Sequence, residues 1–328
     1  MPGIFIAGTG SYQPKQVVKN DDFTFIETSD EWIRTRTGIS ERRVTDGETT
    51  TDLAIKASMA AIADAGLHPE DIDMIIASTV TADTITPSLS CLVSAGIGHT
   101  RIPCVDINCA CTGFVNALDL AYRYLVTDGA KNVLVVCSEL LSKLTDYDDR
   151  STCVLFGDGA GAAVVQKSDK FYASYLSSDG NSAGSLFANA VPLDNRFLKT
   201  AAKQDERFAK GREHYLWMDG KEVYKFAVNA LPEAVLGALH KLDMTPEDLD
   251  IIVPHQANIR IVQTAAHRMG VPMEKMLTNI DRYGNTSSAS IPMCLDEFYR
   301  AGKIKRGDKI AVVGFGGGLT YGAAVFEW

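Results

Sequence analysis

A cysteine thiol at the start of a predicted helix is the first group in this chain that could carry chemistry. Cys111 follows a strand-like run at 102–108 and stands just before the expected helix start near Thr112 and Gly113. The free amides and the dipole of a helix N-terminus favour the thiolate, which is the nucleophilic form of the side chain. Many buried cysteines are only small hydrophobes, and Cys109, which we assign to the strand, fits that structural role better. Cys111 is therefore our candidate nucleophile.

A histidine and an asparagine in the second half of the chain could supply hydrogen bonds to a developing negative charge. His255 follows a predicted strand at 251–254, and open α/β sheets bind ligands at the carboxyl ends of their strands. Asn285 lies in a turn-rich segment ahead of a helix with Pro292 in its first turn. Each also has a structural interpretation, because lone histidines are often structural and an asparagine in a turn often bonds its own backbone.

Two glycine-rich segments need separate interpretations. The run from Val312 to Gly318 ends a predicted strand in glycines, so a backbone amide there could approach an oxyanion with no Cβ in the way. A tight turn would use the same residues. The segment GDGAGA at 157–162 has the spacing of a dinucleotide-binding fingerprint, but it leads into an AVV run that predicts a strand in place of the required helix. We therefore reject a nicotinamide-binding role.

An internal duplication indicates the elements that must position these groups. Residues 68–76 (HPEDIDMII) match residues 245–253 (TPEDLDIIV) at an offset of 177 positions. The same offset relates ALDLAYR to CLDEFYR and NVLVV to KIAVV, so three matches at one register indicate two copies of one structural unit. A repeated GAAV fits an offset of 161, which implies about sixteen extra residues in the first half, at 141–156.

Each half alternates apolar, strand-like runs with amphipathic helical patterns, which predicts two α/β units with mostly parallel sheets. We assign the halves to residues 1–170 and 171–328. The polar stretch 190–215 lacks periodicity and predicts a long loop. Since Cys111 belongs to the first half while the candidate histidine and asparagine belong to the second, the active site is expected where the halves meet.

Composition excludes several classes of function. With 41 acidic against 32 basic residues, the net charge of -9 opposes binding to nucleic acid, which requires a basic surface. No apolar run approaches the ~18 residues of a membrane span, and the first residues lack the pattern of a secretory signal. The seven cysteines show neither paired zinc spacing nor a redox pair. We therefore expect a cytoplasmic protein with no metal, no structural disulfide and no membrane attachment.

A thiol, an imidazole and a carboxamide in this order fit two reaction classes. In papain-like proteases the histidine and asparagine lie roughly 130 to 150 residues after the cysteine, and His255 falls in that window. The surroundings of Cys111 lack the motif of those proteases, however, and a duplicated α/β chain is the wrong architecture. The other class is acyl transfer to a carbon nucleophile. Cys111 would hold the acyl group as a thioester, while His255 and Asn285 donate to the thioester oxygen of a second substrate as its enolate forms.

The whole sequence resembles the β-ketoacyl-acyl-carrier-protein synthase III family of the thiolase superfamily. The final glycine-rich strand and six further motifs carry this resemblance, namely TSDEWI at 28–33, RTGI at 36–39, DINCACTGF at 106–114, FGDGAGA at 156–162, PHQAN at 254–258 and RYGNTS at 282–287. The resemblance implies a thiolase-like α/β fold, in which two duplicated halves form a layered α-β-α-β-α architecture. It also implies a decarboxylative Claisen condensation of an acyl-CoA primer with malonyl-acyl carrier protein, which gives 3-oxoacyl-acyl carrier protein, CO2 and coenzyme A and initiates type II fatty acid synthesis.

The resemblance assigns roles to the candidate catalytic residues. Cys111 becomes the acylated nucleophile, and His255 and Asn285 serve the decarboxylation of the malonyl thioester. The backbone amides of Cys111 and Gly317 form the oxyanion hole. We expect His255 to act as a neutral donor, because an imidazolium would tend to quench the carbanion by protonation. No cofactor is implied beyond the two thioester substrates.

The resemblance also implies a binding site for the coenzyme A nucleotide. Trp32, Arg36 and Arg150 match the positions that hold it in relatives. The chemistry agrees, since an indole and a guanidinium can sandwich adenine while an arginine binds phosphate. A packed surface aromatic is the structural alternative for Trp32.

Protein partners are implied in the same way. Lys221, Lys225 and Arg260 match the region where relatives contact acyl carrier protein, and they would give this acidic chain a local positive patch. The resemblance implies a homodimer, in which Thr86 matches a site where the partner subunit reaches into the acyl pocket. Relatives with a bulky aromatic there prefer short primers. Thr86 leaves more room, so we expect medium-length or branched acyl groups to be tolerated.

Two other functions share parts of this pattern. A condensing enzyme or acyltransferase of secondary metabolism would have the same fold and a different acyl acceptor. A non-catalytic homologue would serve as a binding or structural subunit, against which the intact cysteine, histidine and asparagine argue. Thiolase proper fits less well, because the motifs around His255 and Asn285 imply a decarboxylating partner.

Overall fold

A five-stranded and a four-stranded sheet organise the chain in this computed structural model, which describes residues 2–193, 195–200 and 205–328. The strands are β1 Gly3–Tyr12, β2 Val17–Lys19, β3 Glu41–Arg43, β4 Met74–Ser78, β5 Cys104–Ile107, β6 Asn132–Leu140, β7 Asp158–Ser168, β8 Tyr172–Ser178, β9 Leu186–Phe187, β10 Trp217–Met218, β11 Ile251–Pro254, β12 Lys309–Gly316 and β13 Thr320–Glu327. The helices are α1 Asp30–Thr37, α2 Thr50–Asp64, α3 Leu89–Gly96, α4 Gly113–Val126, α5 Gly220–His240, α6 Ile259–Met269, α7 Ile280–Tyr283 and α8 Ser290–Arg300.

Both main sheets are mixed, so the prediction of mostly parallel sheets is wrong. In the five-stranded sheet, ordered β1-β7-β6-β4-β5, β4 is parallel to β5 and β6, whereas β7 is antiparallel to β6 and β1. In the four-stranded sheet, ordered β11-β12-β13-β8, only β11 and β12 are parallel. The last strand of each half turns back beside its predecessor without a crossover helix, and such a return makes the pair antiparallel.

The duplication predicted from the sequence is visible in the strand order. The sequence of neighbours β1-β7-β6-β4 is repeated as β8-β13-β12-β11, and α4 and α8 each come directly before the strand, β6 or β12, that pairs with the last strand of its half. The first half carries its extra segment between β6 and β7, as expected, whereas only residues 317–319 separate β12 from β13. Strands β1 to β7 lie before residue 170 and β8 to β13 after it. A boundary at 170/171 stays our proposal for the two domains.

The helices and sheets form five layers. Helices α2 and α3 cover the outer face of the five-stranded sheet, α4 and α8 lie between the sheets, and α5 and α6 cover the four-stranded sheet. Phe114 and Leu118 of α4 and Ile291 and Leu295 of α8 are completely buried in the central layer. Each such side chain contributes roughly 1.5–3 kcal/mol on burial. This is the α-β-α-β-α architecture expected from the sequence.

The stretch 190–215 is long and mostly irregular where it is described, with one 3-10 turn at Glu206–Phe208. Residues 194 and 201–204 of the predicted loop lie outside the described residues. Within the described ranges, no helix is long and apolar enough to cross a membrane. The same ranges contain no group of three or more histidine, cysteine, aspartate or glutamate side chains that could hold a metal ion.

Candidate active site

A cavity of about 960 Å³ opens where the two halves meet, and Cys111, His255 and Asn285 all line it. Cys111 comes from the turn between β5 and α4, His255 from the end of β11, and Asn285 from the segment before α8. Residues of the inserted segment 141–156 form part of the wall. The volume lies in the roughly 300–1,000 Å³ range of small-molecule sites. The fold therefore brings together the three groups that lie far apart in the sequence.

Cys111 stands on a tight turn at the start of α4. Residues Ala110–Thr112 form a single 3-10 turn that runs directly into the helix. Ala110 has a φ of 45°, a left-handed conformation that is uncommon for a residue with a side chain. Thr112 Oγ1 donates to the Cys109 carbonyl at 2.7 Å and braces the turn. Because β5 ends at Ile107, Cys109 lies directly before the turn, as its N-cap, and not in the strand to which we assigned it.

Strand β12 passes so close to this turn that glycine is required at position 316. A Cβ on Gly316 would lie 2.6 Å from the amide nitrogen of Cys111 and 3.0 Å from its Cβ. Gly317 follows at the end of the strand and lines the cavity beside Ala110. Cys111 and Gly317 therefore line the same cavity.

The Cys111 thiol lies in a poorly solvated environment. Burial, with a smaller contribution from the charge of Glu139, raises the pKa of the thiol to about 12. A hydrogen bond to Ser287 Oγ, 3.4 Å from the sulfur, opposes this rise. The backbone amide of Cys111 at the helix start favours the thiolate, as expected, but desolvation penalises the charged form and outweighs it. The sulfur therefore rests as a thiol.

His255 is buried and neutral. Its backbone amide donates to the Val313 carbonyl at 2.8 Å, which fixes the residue at the end of β11 beside β12. The ring packs edge-on against Phe315, with centroids 5.5 Å apart, and its Nδ1 lies 2.7 Å from Ser290 Oγ. Burial lowers the pKa of the imidazole to about 3, which confirms the expected neutral ring.

Asn285 joins the two halves through its backbone. Its amide donates to the Leu155 carbonyl at 2.9 Å, and its carbonyl accepts from the Gly157 amide at 3.0 Å. Its Oδ1 accepts from the Ser287 amide at 2.9 Å, which is the local turn bond considered as the structural alternative. That bond orients the side chain and occupies the oxygen, so the Nδ2 donors are the groups left for a ligand in the cavity. The structural and the functional interpretations of Asn285 are therefore compatible.

Three polar residues that support this site were not predicted from the sequence, namely Glu139, Ser287 and Ser290. Ser290 contacts the His255 ring and also accepts from the Gln256 amide at 3.3 Å. Glu139 lies fully buried behind the nucleophile turn. A signal for Glu139 was present, because it is the one charged residue in the apolar run VLVVCSELL at 133–141. The two serines gave no comparable signal.

The predicted nucleotide-binding residues meet at the indole of Trp32, in the wall of the cavity. Trp32 and Arg36 line it, and the guanidinium carbon of Arg36 is 5.4 Å from the indole centroid. The guanidinium carbon of Arg150 lies only 4.3 Å from the same centroid. Arg150 and Trp32 are therefore stacked directly on one another, and a base could enter between them only if one side chain moved.

The three predicted partner-binding cations lie on neighbouring helices at the surface. Lys221 and Lys225 belong to the first turns of α5, and Arg260 lies in the first turn of α6. All three are exposed, and Arg260 also lines the cavity. Among the described residues none of them forms an ion pair, so their charge is available to a partner.

Thr86 is not part of the cavity formed by its own chain. It lies in an exposed segment after β4, where Thr84 Oγ1 donates to the Pro87 carbonyl at 2.8 Å. A role for Thr86 in an acyl pocket would therefore require a second chain, as the sequence analysis assumed.

Comparisons with known proteins agree over the whole chain. Models of the 3-oxoacyl-[acyl-carrier-protein (ACP)] synthase III family match residues 105–183, and those of its C-terminal part match residues 239–328. A beta-ketoacyl-[acyl-carrier-protein] synthase III of Clostridium acetobutylicum is 45% identical, with 100% of this chain and 99% of the relative aligned.

Solved structures show the same fold. The 3-oxoacyl-[acyl-carrier-protein] synthase III of Aquifex aeolicus superposes with a TM-score of 0.90 at 42% identity, covering 99% of this chain and 100% of that one. The priming β-ketosynthase of the R1128 polyketide biosynthetic pathway superposes with a TM-score of 0.88 at 36% identity, covering 99% of this chain and 96% of that one.

Proposed function

The chain belongs to the 3-oxoacyl-acyl-carrier-protein synthase III family of condensing acyltransferases, which act in fatty acid synthesis, and we propose how its own residues perform that reaction. The observation that carries the proposal is the single cavity that unites Cys111, His255 and Asn285 from the two halves. We propose Cys111 as the residue that is acylated. The other two groups then serve the second substrate.

In the first half-reaction, Cys111 attacks the thioester carbon of an acyl-CoA primer. The new bond joins Sγ to the acyl carbon, the bond to coenzyme A breaks, and coenzyme A leaves as the thiol. The amides of Cys111 and Gly317 donate to the oxygen of the tetrahedral intermediate, and removing one such donor typically costs about 3 kcal/mol of transition-state stabilisation. The close approach of β12 at Gly316 supports this pairing, since it fixes the two backbones relative to each other.

In the second half-reaction, malonyl-acyl carrier protein loses CO2 to form an enolate, whose carbon attacks the acyl-Cys111 thioester. The bond from the acyl carbon to Sγ then breaks, 3-oxoacyl-acyl carrier protein is released, and the Cys111 thiolate takes up a proton from solvent. His255 and Asn285 donate hydrogen bonds to the enolate oxygen. Two features support these roles: burial lowers the pKa of His255 to about 3, so the ring does not protonate the carbanion, and Asn285 Oδ1 is already bonded, which leaves Nδ2 as the donor. If the Ser290 hydroxyl donates to Nδ1, the ring proton lies on Nε2 and faces the substrate.

The remaining ligand contacts follow from the same reaction. We propose that the adenine of coenzyme A displaces Arg150 from the face of Trp32 and lies between the two side chains, with Arg36 at the phosphates. Lys221, Lys225 and Arg260 would attract the acidic acyl carrier protein to the mouth of the cavity. The reaction requires no cofactor beyond its two thioester substrates.

The location of the protein in the cell, its oligomeric state and its choice of primer are also part of the proposal. We propose a cytoplasmic homodimer in which Thr86 of each chain reaches the acyl pocket of the other and admits medium-length or branched primers. Loading Cys111 with a series of acyl-CoA chain lengths tests this, and acylation by acetyl-CoA alone would contradict it.

The identity of the acceptor distinguishes the main proposal from its alternative. The similarity to the R1128 priming β-ketosynthase keeps a role in secondary metabolism as the second candidate. Intact mass after incubation with acyl-CoA should show one acyl adduct that is lost in Cys111→Ala, and malonyl-acyl carrier protein should then give 3-oxoacyl product. An acyl adduct that persists in Cys111→Ala would refute the assignment of Cys111 as the nucleophile. Acylation without 3-oxoacyl product favours the second candidate.

A further inference from the structure

The neutral ring of His255 carries a single proton, and the proposed reaction requires that proton on Nε2. Burial lowers the pKa of the imidazole to about 3, so only one of its two nitrogens bears hydrogen at neutral pH. Nδ1 lies 2.7 Å from Ser290 Oγ, whereas Nε2 forms no hydrogen bond with the described residues. Because His255 lines the cavity, Nε2 is the ring nitrogen left for a substrate oxygen. The position of the proton therefore decides whether the ring can donate to the enolate.

The partners of Ser290 indicate which atom donates in its contact with the ring. The backbone amide of Gln256, which can only donate, lies 3.3 Å from Ser290 Oγ. Among the described residues, the other hydrogen-bond partner of this hydroxyl is His255 Nδ1. If Nδ1 carried the proton, Ser290 would accept two hydrogen bonds, and its own hydrogen would find no acceptor within the same residues. Ser290 is only 2% exposed, and a buried donor without an acceptor is costly. Every group is satisfied when the hydroxyl donates to Nδ1.

The elements around Ser290 fix the position of its oxygen. Ser290 is the first residue of α8. Gln256, whose amide donates to it, is also buried and held on two sides. Its Nε2 donates to the Pro254 carbonyl at 2.6 Å, and its Oε1 accepts from the Asn279 amide at 3.0 Å. The oxygen beside Nδ1 is therefore placed by the start of a helix and by a fixed backbone amide.

We propose that Ser290 is a positioning residue that keeps His255 in the Nε2–H form for decarboxylation, a role that rests on the condensation proposed above. The hydrogen bond at one ring nitrogen of a histidine determines which nitrogen is protonated. With the proton on Nε2, the ring donates to the enolate oxygen. With the proton on Nδ1, the ring would present a lone pair to that oxygen and repel it. Ser290 does not itself line the cavity, so it acts only through the imidazole.

Nitrogen NMR of the full chain measures the protonated nitrogen directly. Protein labelled with 15N-histidine contains six such side chains, and comparison with His255→Asn identifies the signals of His255. We expect the wild-type ring to carry its proton on Nε2. In Ser290→Ala the Nδ1–H form should become populated, because the donor to Nδ1 is lost. A wild-type ring with its proton on Nδ1 overturns the proposal, and this result does not require any serine variant to fold.

The two half-reactions give a second, kinetic test. Ser290→Ala should slow CO2 release by enzyme acylated beforehand by about tenfold, the low end of the cost of removing the partner that orients a metal-bound histidine. The KM for malonyl-acyl carrier protein should stay within about twofold of wild type, because the donor acts on the charge of the transition state. The rate at which acetyl-CoA acylates Cys111 should also be unchanged. Ser290→Thr keeps a hydroxyl donor and should recover most of the lost rate.

Ser138→Ala is the matched control. Ser138 is a buried serine on β6 that donates to the Thr50 carbonyl at 2.7 Å and forms no hydrogen bond with the imidazole. Its variant should match wild type in both half-reactions and in the histidine spectrum.

Two further results would overturn the role of Ser290. One is a Ser290→Ala protein that keeps both the wild-type histidine spectrum and the wild-type rate of CO2 release. The other is an equal loss of acylation and CO2 release in Ser290→Ala with an unchanged histidine spectrum, which indicates a purely structural role. Wild-type protein that forms no acyl-Cys111 would overturn the proposed function itself, and with it the role that rests on it, whatever the spectrum shows.

Discussion

Replacing Gly316 by alanine should slow the acylation of Cys111 through a single added methyl group. The new Cβ would lie 2.6 Å from the Cys111 amide nitrogen, whereas ordinary contacts begin at 3.4 Å, so one of the two backbones must move by about 0.8 Å. Gly316 is paired with Thr320 of β13 and follows the stretch of β12, Ile310–Val313, that is paired on both sides. The displacement therefore falls mainly on the nucleophile turn.

The size of the effect follows from that displacement. A misplacement of about 1 Å at a reacting group can cost about 10²-fold in rate, so we expect acylation to slow by about that factor. Overpacking of this kind also costs roughly 1–3 kcal/mol in the free energy of unfolding. The rate of Cys111 acylation by acetyl-CoA and the urea midpoint measure the two effects separately.

Gly180→Ala is the control for adding a methyl group to the same half of the protein. A Cβ on Gly180 would meet nothing within 4 Å, so both the rate and the urea midpoint should match those of wild type. If Gly316→Ala acylated within about threefold of wild type, the close approach of β12 would not control the geometry of the nucleophile, and our reasoning about the oxyanion hole would be wrong.

Four further predictions follow from the site. Asn285→Asp keeps the oxygen that accepts from the Ser287 amide but removes the Nδ2 donors. The rate of CO2 release from malonyl-acyl carrier protein should therefore fall by about 10²-fold. Acylation of Cys111, followed by intact mass, should persist. Because the pKa of His255 is lowered to about 3, the unfolded chain binds a proton first as the pH falls below about 6.5. The free energy of unfolding should therefore decrease towards pH 3 by at most ~1.4 kcal/mol per pH unit from this group, and urea titrations should show a smaller decrease for His255→Asn. Trp32→Ala should raise the KM for acyl-CoA about tenfold, consistent with the 1–3 kcal/mol of a base–aromatic stack, and an unchanged KM would contradict the assigned nucleotide site. Arg260→Glu should raise the KM for malonyl-acyl carrier protein. The difference in KM from wild type should narrow in high salt, because exposed charges are screened. A difference in KM that does not depend on salt would argue against a charge contact.

Much of the architecture could be predicted because the chain repeats itself. The 177-residue offset identified two equivalent units and located the extra segment of the first, and the strand orders β1-β7-β6-β4 and β8-β13-β12-β11 confirm it. The relative direction of neighbouring strands could not be predicted in the same way. Apolar strand patterns look alike whether the neighbour is parallel or antiparallel, so the antiparallel return of β7 and β13 was missed.

The electrostatics of the site could not be derived from local sequence. The position of Cys111 at a helix start suggested a thiolate, yet burial by residues from both halves makes the thiol the resting form. Ser287 lies two residues after Asn285 in an ordinary turn, and Ser290 lies two residues before Pro292 at the start of a helix. Only folding shows that one faces the sulfur and the other the imidazole.

The sequence by itself determined which groups are present and which elements carry them: a thiol before α4, an imidazole after β11, and a carboxamide before α8. These assignments depend on local patterns of apolarity, glycine and turn residues, which act over a few positions. The tertiary structure decided how the three groups meet in one cavity, how deeply the imidazole is buried, and that Ser287 contacts the sulfur. Desolvation and contact depend on residues that are distant in the chain, and these come together only when the two halves pack around α4 and α8.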